Sequence, residues 1–262
     1  MPDYQFEKTD HVSYLRDIPR GVVFGGSTFS SFGKIATGGA VTDHIVWANA
    51  GSPALQVPAE AGVQMIVASS SANDDLTDTG IQQIEIHYLD GALNEQTETV
   101  DLDGTTTVTT AATDIRFINE IYAKSLGSGG KAAGNISVTN GGTTYGYIAA
   151  GARRSTNVSK RVPTGKRLMI SALYAGASSG TADAAVTINL VTTAINGIDS
   201  TEDAITYPQA GIALQDSSQV IQLDSPFPIG AGQIVSFETT SDKAATVTAG
   251  FFGWLEPVVT TS

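Results

Sequence analysis

Apolar and polar residues alternate in several short stretches of this sequence, and this period of two constrains the fold more than any other feature. The clearest stretches are 84–88, 100–102, 186–190, 235–238 and 247–251. Successive side chains of a β-strand point to opposite faces, so the pattern predicts strands with one buried face and one wet face. Such strands are typical of antiparallel sheets. Turn-forming residues punctuate them at Asp90-Gly91, Asp103-Gly104, Asn140-Gly141-Gly142 and Asn196-Gly197.

One stretch, residues 114–122, has an ambiguous period. Ile115, Ile118 and Tyr122 have helical spacing, but the same residues also fit a fully buried strand that ends at the glycine- and serine-rich loop 127–130. We favour the strand because the neighbouring segments are strands. The sequence therefore predicts an all-β fold of antiparallel sheets.

A short pattern that occurs twice predicts two modules. Val57-Pro58 leads into Met65-Ile66, and Val162-Pro163 leads into Met169-Ile170, each followed by small residues and an alternating strand. Proline suits the first position of a strand, where no ladder donor is needed. We predict two tandem antiparallel β-sandwich, jelly-roll-like modules, at residues 55–158 and 159–262, with the boundary at 155–162.

Residues 1–54 show no period that lasts more than a few positions. The stretch is rich in glycine, and its apolar residues stand singly, so it is too long for an ordinary loop and too apolar for a disordered tail. We predict an extended N-terminal arm whose aromatic side chains dock into a neighbouring subunit. The alternative is a set of irregular strands folded onto the chain's own first module. The candidate partner-binding residues of the arm are Phe24, Phe29, Phe32 and Trp47.

Basic residues are concentrated near the predicted module boundary, in a chain whose net charge is −12. The candidate partner-binding residues there are Arg153, Arg154, Lys160 and Arg161. One interpretation seats this patch against an acidic surface of a partner or sister subunit, where complementary charge fixes register. The other is a solvated linker and strand edge, where positive charge discourages aggregation.

The sequence lacks most of the equipment of an enzyme. Cysteine is absent, and the three histidines (His11, His44 and His87) are scattered, which disfavours a hydrolytic triad or a zinc site. Residues 101–104 resemble the start of a calcium loop, but the spacing fits a hairpin turn better. We therefore predict no catalytic residues, no cofactor and no metal. The acidic charge disfavours nucleic acid as a partner, and no apolar run is long enough to predict a membrane span.

Distinctive strand-and-turn sequences occur in both predicted modules. They are residues 69–74, 84–90, 95–106, 115–119 and 134–138 in the first module, and 162–166 and 249–255 in the second. In these segments, which lie within residues 57–256, the chain resembles virion structural proteins of tailed bacteriophages. The segments are structural patterns rather than site motifs, so the resemblance implies a component of a particle and no catalytic residue.

The resemblance implies a function in the virion, after assembly in the host cytoplasm. The first expectation is a capsid decoration or cement protein that binds the major capsid protein or other virion proteins and stabilises the head. The alternative is a structural component of the tail, baseplate or fibre attachment that mediates host contact. An alternative from another class is a carbohydrate-binding or glycan-degrading module. We also expect a homo-oligomer, most simply a trimer, because symmetric closure buries exposed surfaces.

Overall fold

A computed structural model describes residues 26–48, 54–179, 183–193 and 206–258 of the chain. All regular elements in this part of the chain are β-strands in small antiparallel sheets, which confirms the all-β prediction. The strands are β1 (Ser27–Ala36), β2 (Val41–Ile45), β3 (Ile66–Ser69), β4 (Ile81–Leu89), β5 (Glu95–Asp101), β6 (Val108–Thr109), β7 (Phe117–Leu126), β8 (Ile136–Asn140), β9 (Thr143–Ile148), β10 (Lys160–Arg161), β11 (Lys166–Ser178), β12 (Ala185–Thr193), β13 (Thr206–Gln215), β14 (Ser218–Ile229), β15 (Ile234–Ser241) and β16 (Thr246–Pro257).

Two of the four sheets share a core and form what we call the middle sheet pair. One sheet has the order β6-β3-β8-β9 and the other the order β5-β4-β7. Ile84 and Ile86 of β4 point into this core and are fully buried, whereas the intervening Glu85 points outward. The ambiguous segment 114–122 contributes to β7, so the preference for a strand is confirmed.

The other two sheets share a larger core and form the terminal sheet pair. One has the order β1-β16-β11-β14, and the other has the order β10-β15-β12-β13, with β2 also paired to β15. Phe237 of β15 and Phe251 of β16 are fully buried between these sheets. The four small sheets together give the protein a four-blade, propeller-like arrangement, which differs from two clear tandem jelly rolls.

The prediction of an extended arm is wrong for residues 26–48. The alternative prediction, that these residues fold onto the first module, is also wrong. β1 pairs with β16 along its whole length, and β2 pairs with β15, so both strands belong to the terminal sheet pair. Buried and exposed residues do alternate in β1. Two of the buried residues, however, are Ser31 and Gly33, and a search for alternating apolar residues does not detect them. Glycine is needed at position 33 because a Cβ atom there would overlap the carbonyl oxygen of Val46.

The two sheet pairs meet at a small third core and a set of buried polar contacts. Leu89 of β4, Phe117 of β7 and Ile234 of β15 form the apolar part. The side chain of Asn119 in β7 accepts a hydrogen bond from the Arg161 backbone N–H at 2.8 Å and donates one to the Arg161 carbonyl at 3.1 Å. These contacts fix the relative position of the pairs and leave a cleft beside them.

Candidate functional site

A cleft of about 1080 Å³ lies between the two sheet pairs. One wall is the outer face of the sheet that contains β1, β16, β11 and β14. The facing wall is formed by β4, β5 and β7 of the middle sheet pair and by the connecting segment 154–160. Concave sites between structural units are where small-molecule ligands bind most often.

Three rings on the first wall form what we call the aromatic face: Phe32 of β1, Tyr174 of β11 and Phe252 of β16. The ring centroids of Phe32 and Tyr174 are 6.1 Å apart, and those of Tyr174 and Phe252 are 5.3 Å apart. Gly250 lies opposite both Phe32 and Tyr174 in the sheet, and a Cβ atom there would overlap the Tyr174 ring. Tyr174 therefore lies over Gly250, and its hydroxyl donates a hydrogen bond to the Ser31 carbonyl.

Polar and charged side chains line the facing wall. They are His87, Thr97, Asn119, Glu120, Arg154 and Lys160. A salt bridge between Lys166 of β11 and Glu95 of β5, which also lines the cleft, joins the two walls. Desolvation raises the pKa of Tyr174 to about 12, with the charge of Arg154 acting in the opposite direction. The cleft is therefore aromatic on one side and hydrogen-bonding on the other.

The predicted basic patch divides into an exposed half and a buried half. Arg153 and Arg154 are exposed beside β7, whereas Lys160 and Arg161 are 6% and 1% exposed at the junction of the sheet pairs. Lys160 donates to the Asn119 carbonyl, and burial lowers its pKa to about 8. Burial, with repulsion from Arg116, lowers the pKa of Arg161 to about 10. Lys160 and Arg161 join the two sheet pairs within the chain. They neither face a partner nor form a solvated linker, so both interpretations of the basic patch are corrected for these two residues.

The predicted aromatic partner-binding residues also have different positions. Trp47 is 3% exposed and belongs to the core of the terminal sheet pair, so it is not available to a partner. Phe29 is half-buried against that core, with its ring centroid 6.4 Å from that of Phe251. Phe32 is 36% exposed and lies on the aromatic face. Phe24 lies outside the described residues. The structure thus brings Phe32 and Arg154 together in one cleft.

A polar cluster on the outer face of β4 and β7 was missed by sequence reasoning. Glu85 accepts hydrogen bonds from Lys124 and Tyr122, and its carboxylate lies 2.9 Å from Nε2 of His87. The bonds from Lys124, Tyr122 and His87 lower the pKa of Glu85 to about 2, and the bond to Glu85 raises the pKa of Tyr122 to about 12. The alternation in β4 placed Glu85 and His87 on one face, but no local pattern indicated Tyr122 or Lys124.

We expect the Glu85 cluster to make stability depend on acid pH. The folded-state pKa of about 2 lies below the free value of 4.5, so the ionised carboxylate stabilises the fold above pH 4.5. This contribution is lost as the pH falls from 4.5 through about 2. Thermal unfolding across this window should show a steeper fall in melting temperature for the wild type than for Glu85→Gln. Parallel curves for the two proteins would contradict the assignment.

The acidic segment 73–78 forms a turn around one buried carboxylate. Asp74 is fully buried, and Oδ1 accepts from the backbone N–H groups of Ile81 and Ala133, while Oδ2 accepts from Ser69 Oγ and the N–H of Gly134. Within the described ranges, no three His, Asp or Glu residues are grouped so that they could hold a metal ion. The role of Asp74 is to join the loops at this end of the middle sheet pair.

Residues 176–180 match the G-x-S-x-G pattern of serine hydrolases, so the expectation that no such nucleophile-elbow motif occurs in the sequence is wrong. In the structure, Gly176 and Ser178 lie at the end of β11, where the hydrolase motif requires a sharp turn into a helix. The nucleophile position would be Ser178, which is still paired with Thr246 in the regular ladder between β11 and β16. The local geometry does not fit a nucleophile elbow.

Comparisons with protein-family models, with curated proteins and with solved structures found no match. In the ranges that the structure describes, there is no helix with the length and apolar character that crossing a membrane would require.

Proposed function

We propose that the chain is a structural protein of a tailed-bacteriophage virion, and specifically a capsid decoration or cement protein. In this proposal the two sheet pairs act as jelly-roll-like β-sandwich modules that bridge capsid subunits, and no substrate is turned over. The resemblance in residues 57–256 supports the virion assignment. The net charge of −12 suits an outer surface that must stay soluble and avoid nucleic acid.

The observation that carries the proposal is that β13 ends one sheet of the terminal sheet pair and β14 ends the other; we call these two end strands the open edge. Each strand pairs on one side only among the described residues, β13 with β12 and β14 with β11. Lysine and arginine are absent from residues 206–229. In β14, Asp224, Pro226 and Pro228 protect the second half, but residues 218–223 carry no charge and no proline.

An edge of this kind is suited to assembly. Exposed, uncharged edge strands present unpaired N–H and C=O groups to which another strand can be added, and monomeric proteins usually block them with lysine, proline or bulges. Val220 is 65% exposed on β14, so apolar area is available beside the backbone groups. Pairing with capsid subunits or with sister copies in a trimer buries this surface and stabilises the assembled shell by mass action.

The test uses particles of the phage that encodes the chain. We expect heads that lack the protein to melt at a lower temperature, and added protein to bind them and restore it. Introducing charge at the edge through Ala213→Lys and Gln222→Lys should abolish binding without changing the protein's own melting temperature. The matched control is Thr187→Lys, an exposed position on β12, whose edges are both paired.

The outcomes separate the possibilities. Binding by the edge variant at the wild-type level would contradict the open edge as the contact, and unchanged head stability would contradict the cement function. Quantitative mass spectrometry should count roughly hundreds of copies per particle, as a symmetric shell requires. About a dozen copies would instead place the protein in the tail, the alternative from the sequence.

A further inference from the structure

We propose that the cleft between the sheet pairs binds an oligosaccharide, with sugar rings stacked on the aromatic face and hydroxyls bonded to the polar wall. The proposal goes beyond assembly of a particle. It does not depend on that assembly, since the open edge offers backbone groups whereas the cleft offers side chains, although Gln219 and Val220 of β14 belong to both surfaces.

The rings of the aromatic face are already ordered in the absence of a ligand. Tyr174 is fixed by its hydrogen bond to Ser31 and by its position over Gly250, between the rings of Phe32 and Phe252. Phe32 is 36% exposed and Phe252 is 54% exposed, so both present ring surface to the cleft. The C–H face of a pyranose is apolar and flat, and rings that are already ordered bind it with little further loss of entropy.

The polar lining contains groups that are free to bind hydroxyls. The side chains of Ser30, Glu120, Arg154 and Gln219 line the cleft and make no hydrogen bond to other residues in the described part of the chain. A guanidinium donates, and a carboxylate accepts, in two parallel directions, which matches the spacing of vicinal hydroxyls. Asn119 has a different role because its amide is committed to the Arg161 backbone and positions the wall.

The same lining disfavours other ligands. The net charge of −12 opposes the phosphates of nucleic acid, and within the cleft Glu95 and Glu120 balance the positive charges of Arg154 and Lys160. Aliphatic side chains are few in the lining, with Val220 and Ala175 as examples, so an acyl chain would leave many polar groups unpaired. A volume of about 1080 Å³ exceeds that of most sites for single small molecules and accommodates several sugar rings.

The test is a microarray of immobilised neutral and uronate-containing oligosaccharides, probed with the purified full chain and followed by calorimetry with the strongest soluble hit. We expect binding to at least one hexose-based oligosaccharide. Affinity should fall by about tenfold or more in Phe252→Ala and in Arg154→Ala, because each removes one side of the contact. Both residues are exposed, so circular dichroism and melting temperature should stay at wild-type values.

Matched controls locate the site. Arg153→Ala removes an exposed arginine next in sequence that does not line the cleft, and Ile66→Ala removes an exposed apolar side chain on the middle sheet pair. Both should bind like the wild type. The proposal is overturned if no oligosaccharide binds above background, or if Arg153→Ala loses as much affinity as Arg154→Ala. Wild-type affinity in Phe252→Ala would equally exclude the aromatic face as the contact.

Discussion

Removing residues 1–48 should unfold the terminal sheet pair rather than release an arm. The deletion takes away β1, which pairs with β16 at ten positions from Ser27 to Ala36, and β2, which pairs with β15. It also removes four buried core residues, namely Ile35, Ile45, Val46 and Trp47. The sheets would lose paired strands and core volume at the same time.

The free energy lost with these residues is large enough to unfold the terminal sheet pair. Burial of a large apolar side chain contributes about 1.5–3 kcal/mol, so four such residues contribute about 6–12 kcal/mol. That is comparable with the whole free energy of unfolding of an ordinary domain, about 5–15 kcal/mol. The truncated chain should therefore lose the amide protection of β15 and β16 in hydrogen exchange, and it should aggregate during purification.

Smaller changes make the same test without a deletion. Trp47→Ala should reduce the free energy of unfolding by about 3–5 kcal/mol because it leaves a large cavity. Trp47→Phe should cost much less, since it keeps a ring and removes an indole N–H that has no hydrogen-bond partner in the described structure. A deletion of residues 1–25 leaves every described strand whole and is the matched control. If the 1–48 deletion keeps wild-type exchange protection in β15 and β16, these strands do not depend on β1 and β2.

The prediction of an arm failed because the alternation of apolar and polar residues does not identify every strand. In β1 the exposed position 32 is phenylalanine, while buried positions 31 and 33 are serine and glycine. At these positions the apolar side chain is therefore on the exposed face and the small residues are on the buried face. Small residues are needed there because the backbone of β1 packs so closely that a side chain at position 33 would overlap Val46 and Val158. The strands with large apolar residues at alternating buried positions, such as β4 and the first part of β12, were predictable from the alternation alone.

The cleft could be predicted only in fragments. Phe32 and Arg154 were selected from the sequence for unrelated reasons, and Tyr174 and Phe252 were not selected at all. Their meeting depends on the pairing of β1, β16 and β11, which joins residues more than two hundred positions apart. Lys160 and Arg161 belong to the same basic run as Arg154, yet they are buried, because hydrogen bonds with Asn119 draw β10 into the junction. Local charge density carries no information on such burial.

Asp74→Asn should be among the most destabilising conservative substitutions in the middle sheet pair. The carboxylate is fully buried, and each of its oxygens accepts two hydrogen bonds: Oδ1 from Ile81 N at 2.8 Å and Ala133 N at 2.9 Å, and Oδ2 from Ser69 Oγ at 2.6 Å and Gly134 N at 2.9 Å. Asparagine keeps the shape of the side chain but replaces one acceptor oxygen by an NH₂ donor. If the amide nitrogen takes the place of Oδ2, the N–H of Gly134 faces a donor, while the Ser69 hydroxyl can turn to accept from the amide.

We expect a loss of about 2–3 kcal/mol in the free energy of unfolding, since a buried N–H left without a partner costs about 1–3 kcal/mol and bonds to a charged acceptor are stronger than bonds to a neutral one. Urea titration at neutral pH measures this loss. The control is Asp78→Asn, an exposed carboxylate in the same segment, for which a change within about 0.5 kcal/mol is expected. Asp74→Ala should cost at least as much as Asp74→Asn, because four donors lose their acceptor and a cavity is left. Equal stabilities for Asp74→Asn and Asp78→Asn would show that the four contacts do not hold these loops together.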